Sequence, residues 1–117
     1  MLNFILKKNW YEKIKSGEKT IEYREVKPYW TKRFRNAGYE NNRGDIELLL
    51  KGEIACLHPD ISPICELRLG YSNTYMKAKI KMISIVDGKS SALHIDKPVY
   101  AIQLSDVQEI KIEPLEK

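Results

Sequence analysis

The sequence predicts an α+β fold built on a curved sheet or small barrel. Three observations carry this reading. Several short segments alternate polar and apolar residues with period two, two or three brief segments have helical spacing, and neither a regular strand-helix-strand alternation nor an internal repeat joins them. At 117 residues the chain has the size of one domain, and 43% hydrophobic with 31% charged residues is a balance that folds rather than staying disordered. One body spanning residues 1–117, undivided by any linker, is expected to do whatever the chain does.

The elements follow in order. Residues 4–7 are a short apolar run that fits a first strand, and Asn9 offers an N-cap for a helix over 9–16. In it Trp10 and Ile14 stand four apart and Tyr11 and Ile14 three apart, a narrow apolar stripe, and Gly17 sits where a C′ glycine ends a helix. Residues 20–26 alternate with period two, which puts Ile21 and Tyr23 on one face and Thr20, Glu22 and Arg24 on the other, same-face neighbours being about 7 Å apart. Pro28 fits the first turn of a second helix that Gly38 stops. Beyond a loop at 41–44, Ile46, Leu49 and Leu50 suggest a third helix over about 45–51, interrupted at Gly52. Strands are expected at 64–69, 76–86, 100–104 and 107–112, with turns at 70–73 and 87–90 between the first three. Lys77, Lys79 and Lys81 alternate with Ala78, Ile80 and Met82, a half-buried strand with one basic, wet face. Trp10 and Phe34 are assigned to the core.

Composition bounds the setting. The apolar start of the chain is too short for a signal-peptide core or a membrane span, so a cytoplasmic, membrane-free protein is expected. Cys56 and Cys65 form no Cys-x-x-Cys pair, and two packed, reduced thiols are the simplest account of them. His58 and His94 match no zinc spacing, so neither a metal nor a cofactor is expected. Ser72, His94 and Asp96 lack the glycines of a nucleophile elbow, and 87–90 lacks the upstream glycine of a phosphate loop, position 83 being Ile83.

The net charge is +4, but it is unevenly spread. Residues 7–35 carry ten cations (Lys7, Lys8, Lys13, Lys15, Lys19, Arg24, Lys27, Lys32, Arg33, Arg35) against Glu12, Glu18, Glu22 and Glu25, so that segment is +6 and the remainder −2. Clustered cations displace counterions from phosphates and suit an anionic partner; a solvated basic face gives the same pattern. The same two readings apply to the strand face of Thr20, Glu22 and Arg24 with Lys19 beside it. Opposite charges lower a carboxyl pKa, which should hold Glu22 ionised and Lys19 protonated. A protonated lysine is an anion clamp or oxyanion stabiliser and a poor nucleophile, and Arg24 offers a planar fork for phosphate or a base edge.

Gly17, Lys19, Glu22 and Arg24 fill every defined position of a G-x-K-x-x-E-x-R motif and resemble the signature of the ASCH family. The flanking Asn9-Trp-Tyr-Glu-Lys-Ile-Lys-Ser and Tyr23-Arg-Glu-Val-Lys-Pro-Tyr-Trp look like the small stand-alone ASCH proteins of bacteria and their phages. Leu67-Arg-Leu-Gly-Tyr-Ser72 is similar to the Arg-Asn-Gly-Tyr-Ser strand end of that subgroup, with Leu69 in place of asparagine, and Tyr100-Ala-Ile-Gln-Leu104 to its closing strand. Residues 40–63 resemble nothing in the family and stand as an insertion. The resemblance implies a PUA-like β-barrel of about five to six mixed or antiparallel strands, flanked by two or three short helices, with the motif facing a ligand cleft. It implies RNA, single-stranded nucleic acid or a modified nucleotide as ligand, with Lys19, Glu22, Arg24, Lys27, Arg68, Tyr71 and Ser72 as candidate contacts. One branch of the family is made of amidohydrolases acting on acylated cytidine. That branch uses the motif lysine catalytically but carries threonine where this chain has Glu22, so Lys19 and Glu22 are catalytic candidates for the alternative reading, hydrolysis of an acylated nucleoside such as N4-acetylcytidine. Residues 40–63 are the candidate surface for a protein partner.

Overall fold

The computed structural model describes residues 1–110, the side chain of Leu48 excepted. The chain runs through β1 (Leu2–Leu6), α1 (Lys8–Lys15), β2 (Ile21–Glu25), α2 (Pro28–Asn36), β3 (Tyr39–Glu40), a 3-10 turn at Ile46–Leu48, β4 (Ile54–Leu57), β5 (Ile64–Leu69), β6 (Tyr75–Asp87), a second 3-10 turn at Gly88–Ser90, and β7 (Pro98–Ile110). The predicted α+β class holds: a curled, mixed sheet forms half a barrel around two helices.

β1 buries Leu2, Phe4 and Leu6 and exposes Asn3 and Ile5, the period-two signature of a strand with one face on a core. It starts earlier than expected and stops at Leu6, because Lys7 takes the extended backbone of an N-cap for α1 (φ −69°, ψ 154°). Asn9, expected as that cap, is the second residue of the helix. Tyr11 and Ile14 are the residues α1 buries, and Gly17 (φ +84°) ends it in the left-handed conformation its position called for. Trp10 is a correction: it is only half-buried and lies outside the core.

α2 begins with Pro28 at its first turn, as predicted, and its aromatic side fills the hollow of the curl. Fully buried Phe34 meets Tyr100 of β7 edge-on at 4.9 Å between centroids and lies 6.4 Å from Phe4 of β1, while Phe4 and Trp30 stack at 5.2 Å. These rings tie β1 and β7, which do not pair with each other, to one helix, and such pairs add about 0.5–1.5 kcal/mol each beyond their burial.

The helix expected over 45–51 is a single 3-10 turn. Asp45 caps it by accepting from the Glu47 N–H at 2.9 Å, Ile46 and Leu49 are buried, and Leu50 faces solvent. One turn suffices to bury two residues three apart, and the chain then leaves through Gly52 (φ +86°) into β4. Residues 40–63 therefore belong to the same core, with Ala55 fully buried on β4.

β6 and β7 pair antiparallel along their whole length, Tyr75 opposite Ile110 and Asp87 opposite Pro98. The other edge of β6 is shared by β5, opposite Tyr75 to Lys79, and β4, opposite Ile83 and Ser84. β2 lies antiparallel on β7, β1 parallel on β5, and β3 on β4. The two strands expected at 100–104 and 107–112 are one: Asp106 (φ +52°) and register shifts near Lys77/Lys79 and Ile80/Met82 kink β7 without ending it, and residues 111–112 of that expectation lie outside the described residues. Such irregularities increase local twist and bend a sheet. The bend carries β2 round to β1, where the Arg24 Nη2 donates to the Ile5 carbonyl at 3.3 Å.

Of the two cysteines, Cys65 is packed in the core, its thiol pushed up to about 12 chiefly by burial, whereas Cys56 is exposed; both are free. The expectation of two packed thiols holds for Cys65 alone. No helix among the described residues is long and apolar enough to cross a membrane.

Candidate functional site

Where β1 and β2 approach without pairing, they leave a seam, and the seam holds a cleft of about 320 Å³ lined by Ile5, Leu6, Lys7, Trp10, Lys19, Glu22, Arg24, Ala92 and Leu93. That volume is at the small end of ligand pockets, which run from about 300 to 1,000 Å³. Three of the motif residues converge here.

β2 delivers them in steps of two. Thr20 lies exposed at the strand's outer end, Glu22 is buried to 4% exposure, and Arg24 is half-buried. The polar face of this strand therefore points into the molecule and is no wet edge. Glu22 Oε1 accepts from the Tyr23 N–H at 2.9 Å and Lys19 Nζ at 3.4 Å, and forms an ion pair with Arg24 Nη1 at 3.2 Å. Its partner oxygen, Oε2, is buried and receives no hydrogen bond from any described residue.

Lys19 reaches this point because its own N–H bonds the Lys13 carbonyl at 3.0 Å, folding the turn back over α1. Its ammonium then sits 4.3 Å from the centroid of the Trp10 ring and 5.5 Å from that of Tyr23. Trp10, read from sequence as core, forms a wall of the cleft. Its signal was ambiguous in an eight-residue helix, since a four-residue step to Ile14 and a three-residue step from Tyr11 describe overlapping stripes.

Arg24, expected to offer a planar fork to a ligand, lines the cleft with its guanidinium engaged within the protein. Nη1 donates to the Tyr23 carbonyl at 2.8 Å, Nη2 to the Ile5 carbonyl at 3.3 Å, and the guanidinium carbon lies 5.2 and 5.3 Å from the Phe4 and Trp30 ring centroids. It clamps the two free sheet edges together beneath Glu22.

The remaining candidates lie elsewhere. Lys27 caps α2 and, with Lys97, pairs with Glu25 at 3.3 Å, hydrogen bonds from Lys97 and then Lys27 holding that carboxyl below its ordinary range. Arg68 is on the outer face of β5, paired with Glu66 at 3.2 Å and 5.2 Å from the Tyr75 ring centroid. Tyr71 is 94% exposed in the following turn, and Ser72 ties that turn by donating to the Leu69 carbonyl at 2.6 Å. None of these four lines the cleft.

Two walls had no sequence signal. The first turn of α1, with exposed Lys7 and Lys8, has neither a side-chain cap nor an acidic residue, leaving its N–H groups unmatched by side chains. Ala92 and Leu93 come from the β6–β7 connection, which Gly88 anchors: its N–H bonds the Lys97 carbonyl at 2.9 Å and its own carbonyl accepts from Ser91 Oγ at 2.7 Å. A Cβ there would collide with the Lys97 carbonyl and stand 2.5 Å from that of Ile95, so only glycine fits. Among the described residues no group of three or more His, Cys, Asp or Glu side chains is placed to hold a metal. Compared with family models, with curated proteins and with solved structures, the chain matches none.

Proposed function

We propose that the chain is a small PUA-like domain of the ASCH type and that the seam cleft binds RNA or a modified nucleotide. The observation that carries the proposal is the meeting of Lys19, Glu22 and Arg24 beside Trp10 in one small cleft. Three features support it. A donor (Lys19), an acceptor (Glu22) and an aromatic wall are what a nucleobase needs, because every base combines a π-face with hydrogen-bonding edges. The volume suits a single base better than a duplex. Lys7 and Lys8 with the open helix terminus at the rim suit the phosphates of a strand leaving the cleft.

Binding is favoured over amide hydrolysis because Lys19 is already engaged, donating to Glu22 and lying on an indole, and so is not free to attack a carbonyl. Short single-stranded RNA titrated against the protein at rising salt tests the proposal. Affinity should fall as salt rises, with a log-log slope of about −0.7 per phosphate contacted, and Lys19→Ala should weaken it by about tenfold or more. Salt-independent binding, or a Lys19→Ala variant that binds as well as wild type, would overturn it, and release of acetate from N4-acetylcytidine that Lys19→Ala abolishes would establish hydrolysis in its place.

A further inference from the structure

We infer that the floor of the cleft reads an uncharged N–H group, of the kind a nucleobase edge presents, and rejects phosphate. The inference rests on the nucleotide-binding reading above and assigns the role of each polar group in it. Glu22 carries two oxygens with very different surroundings. Oε1 is crowded by a backbone N–H, a guanidinium and an ammonium, which fixes the carboxylate plane. Oε2 is withdrawn from solvent, meets no donor from the described residues, and belongs to a side chain that lines the cleft. A buried acceptor left unmet is costly, and a ligand N–H entering the cleft is a donor that would meet it.

The charge of that donor follows from the neighbours. A phosphate oxygen against Oε2 would set anion against anion in a desolvated site; Arg24 already holds Glu22 Oε1, two backbone carbonyls and two ring faces, Lys19 is held by Glu22 Oε1 and the Trp10 ring, and the cation left for a phosphate is exposed Lys7 at the rim. A cationic donor meets the opposite obstacle, because Lys7, Lys19 and Arg24 all line the same small volume. A neutral N–H satisfies Oε2 without either penalty. Lys19, which donates and cannot accept, then faces the acceptor that stands beside the N–H on a base edge, the O4 next to N3–H in uracil or the N3 next to the amine in cytosine. The base lies inward and the phosphate is left at the rim with Lys7 and Lys8. Arg24 is a positioning residue in this arrangement, and Glu22 is the group that discriminates.

The test compares uridine with 3-methyluridine and cytidine with N4,N4-dimethylcytidine by calorimetry on the wild-type protein, with inorganic phosphate as competitor. Methylation removes the N–H and retains the rest of the nucleoside. The parent nucleoside of at least one pair should bind about tenfold or more tightly than its methylated form, and millimolar phosphate should not displace it. In Glu22→Gln, whose amide can present a donor in place of Oε2, the difference between parent and methylated forms should disappear; the wild-type comparison stands on its own if that variant does not fold. Equal binding of parent and methylated nucleosides, or displacement by phosphate, overturns this inference and leaves the nucleotide-binding reading in place. Absence of binding by every nucleoside together with absence of binding by RNA overturns both.

Discussion

Arg24→Ala should lower the unfolding free energy by about 3 kcal/mol or more, because it strips a buried carboxylate of one of its two cations. Glu22 would keep the Tyr23 N–H and the longer contact to Lys19, and the Tyr23 and Ile5 carbonyls would lose the donors that bridge β2 to β1. The guanidinium is mostly shielded, its side chain 19% exposed, so solvent screening offsets little of this loss. The double variant Glu22→Leu/Arg24→Ala separates the charge from the clamp. Removing both partners removes the stranded charge, so the double variant should be the more stable of the two in urea. An Arg24→Ala protein within about 1 kcal/mol of wild type would show that the seam is held by something other than this residue.

Phe34→Ala should cost about 3–5 kcal/mol, the range found for emptying a fully buried aromatic site. Phe34 touches Phe4, Trp30 and Tyr100, so its loss removes the ring through which α2 packs on β1 and β7 at once, leaving the Trp30–Phe4 stack. For a domain whose whole stability is typically 5–15 kcal/mol this is a large fraction. Phe34→Leu, which refills much of the volume, should cost clearly less. Equal losses for the two variants would mean that ring geometry, and not filled space, sets the value of the site.

What could be read from the sequence was local. Gly17, the alternation of residues 20–26 and Pro28 each act through their own backbone or their neighbours, and the structure has a helix end, a strand and a helix start there. Lys19 and Glu22, three apart across one turn and strand start, could be paired on the same grounds. The partners of Arg24 could not be read, because two of them, Ile5 and Phe4, reach it only when the sheet curls. β3 and β4, two and four residues long, are too short to show a period, and while β3 pairs with β4, β4 pairs with distant β6. Asp106 lies in the gap left between the strands expected at 100–104 and 107–112, and its positive φ kinks the single strand there without ending it. Arg68 shows the opposite case: Cys65 and Leu67 are apolar and buried, so strand parity alone already placed Arg68 on the outer face.

The central claim is that ligand enters at the seam between β1 and β2. Chemical-shift mapping of the isotope-labelled protein with a short single-stranded RNA tests it most directly. The Trp10 indole N–H and the backbone N–H groups of Tyr23 and Leu93 should shift together and saturate at one concentration, while those of Arg68, Lys77 and Lys79 on the outer sheet face should stay in place. Shifts confined to that outer face, with the signals of Trp10, Tyr23 and Leu93 unmoved, would contradict it.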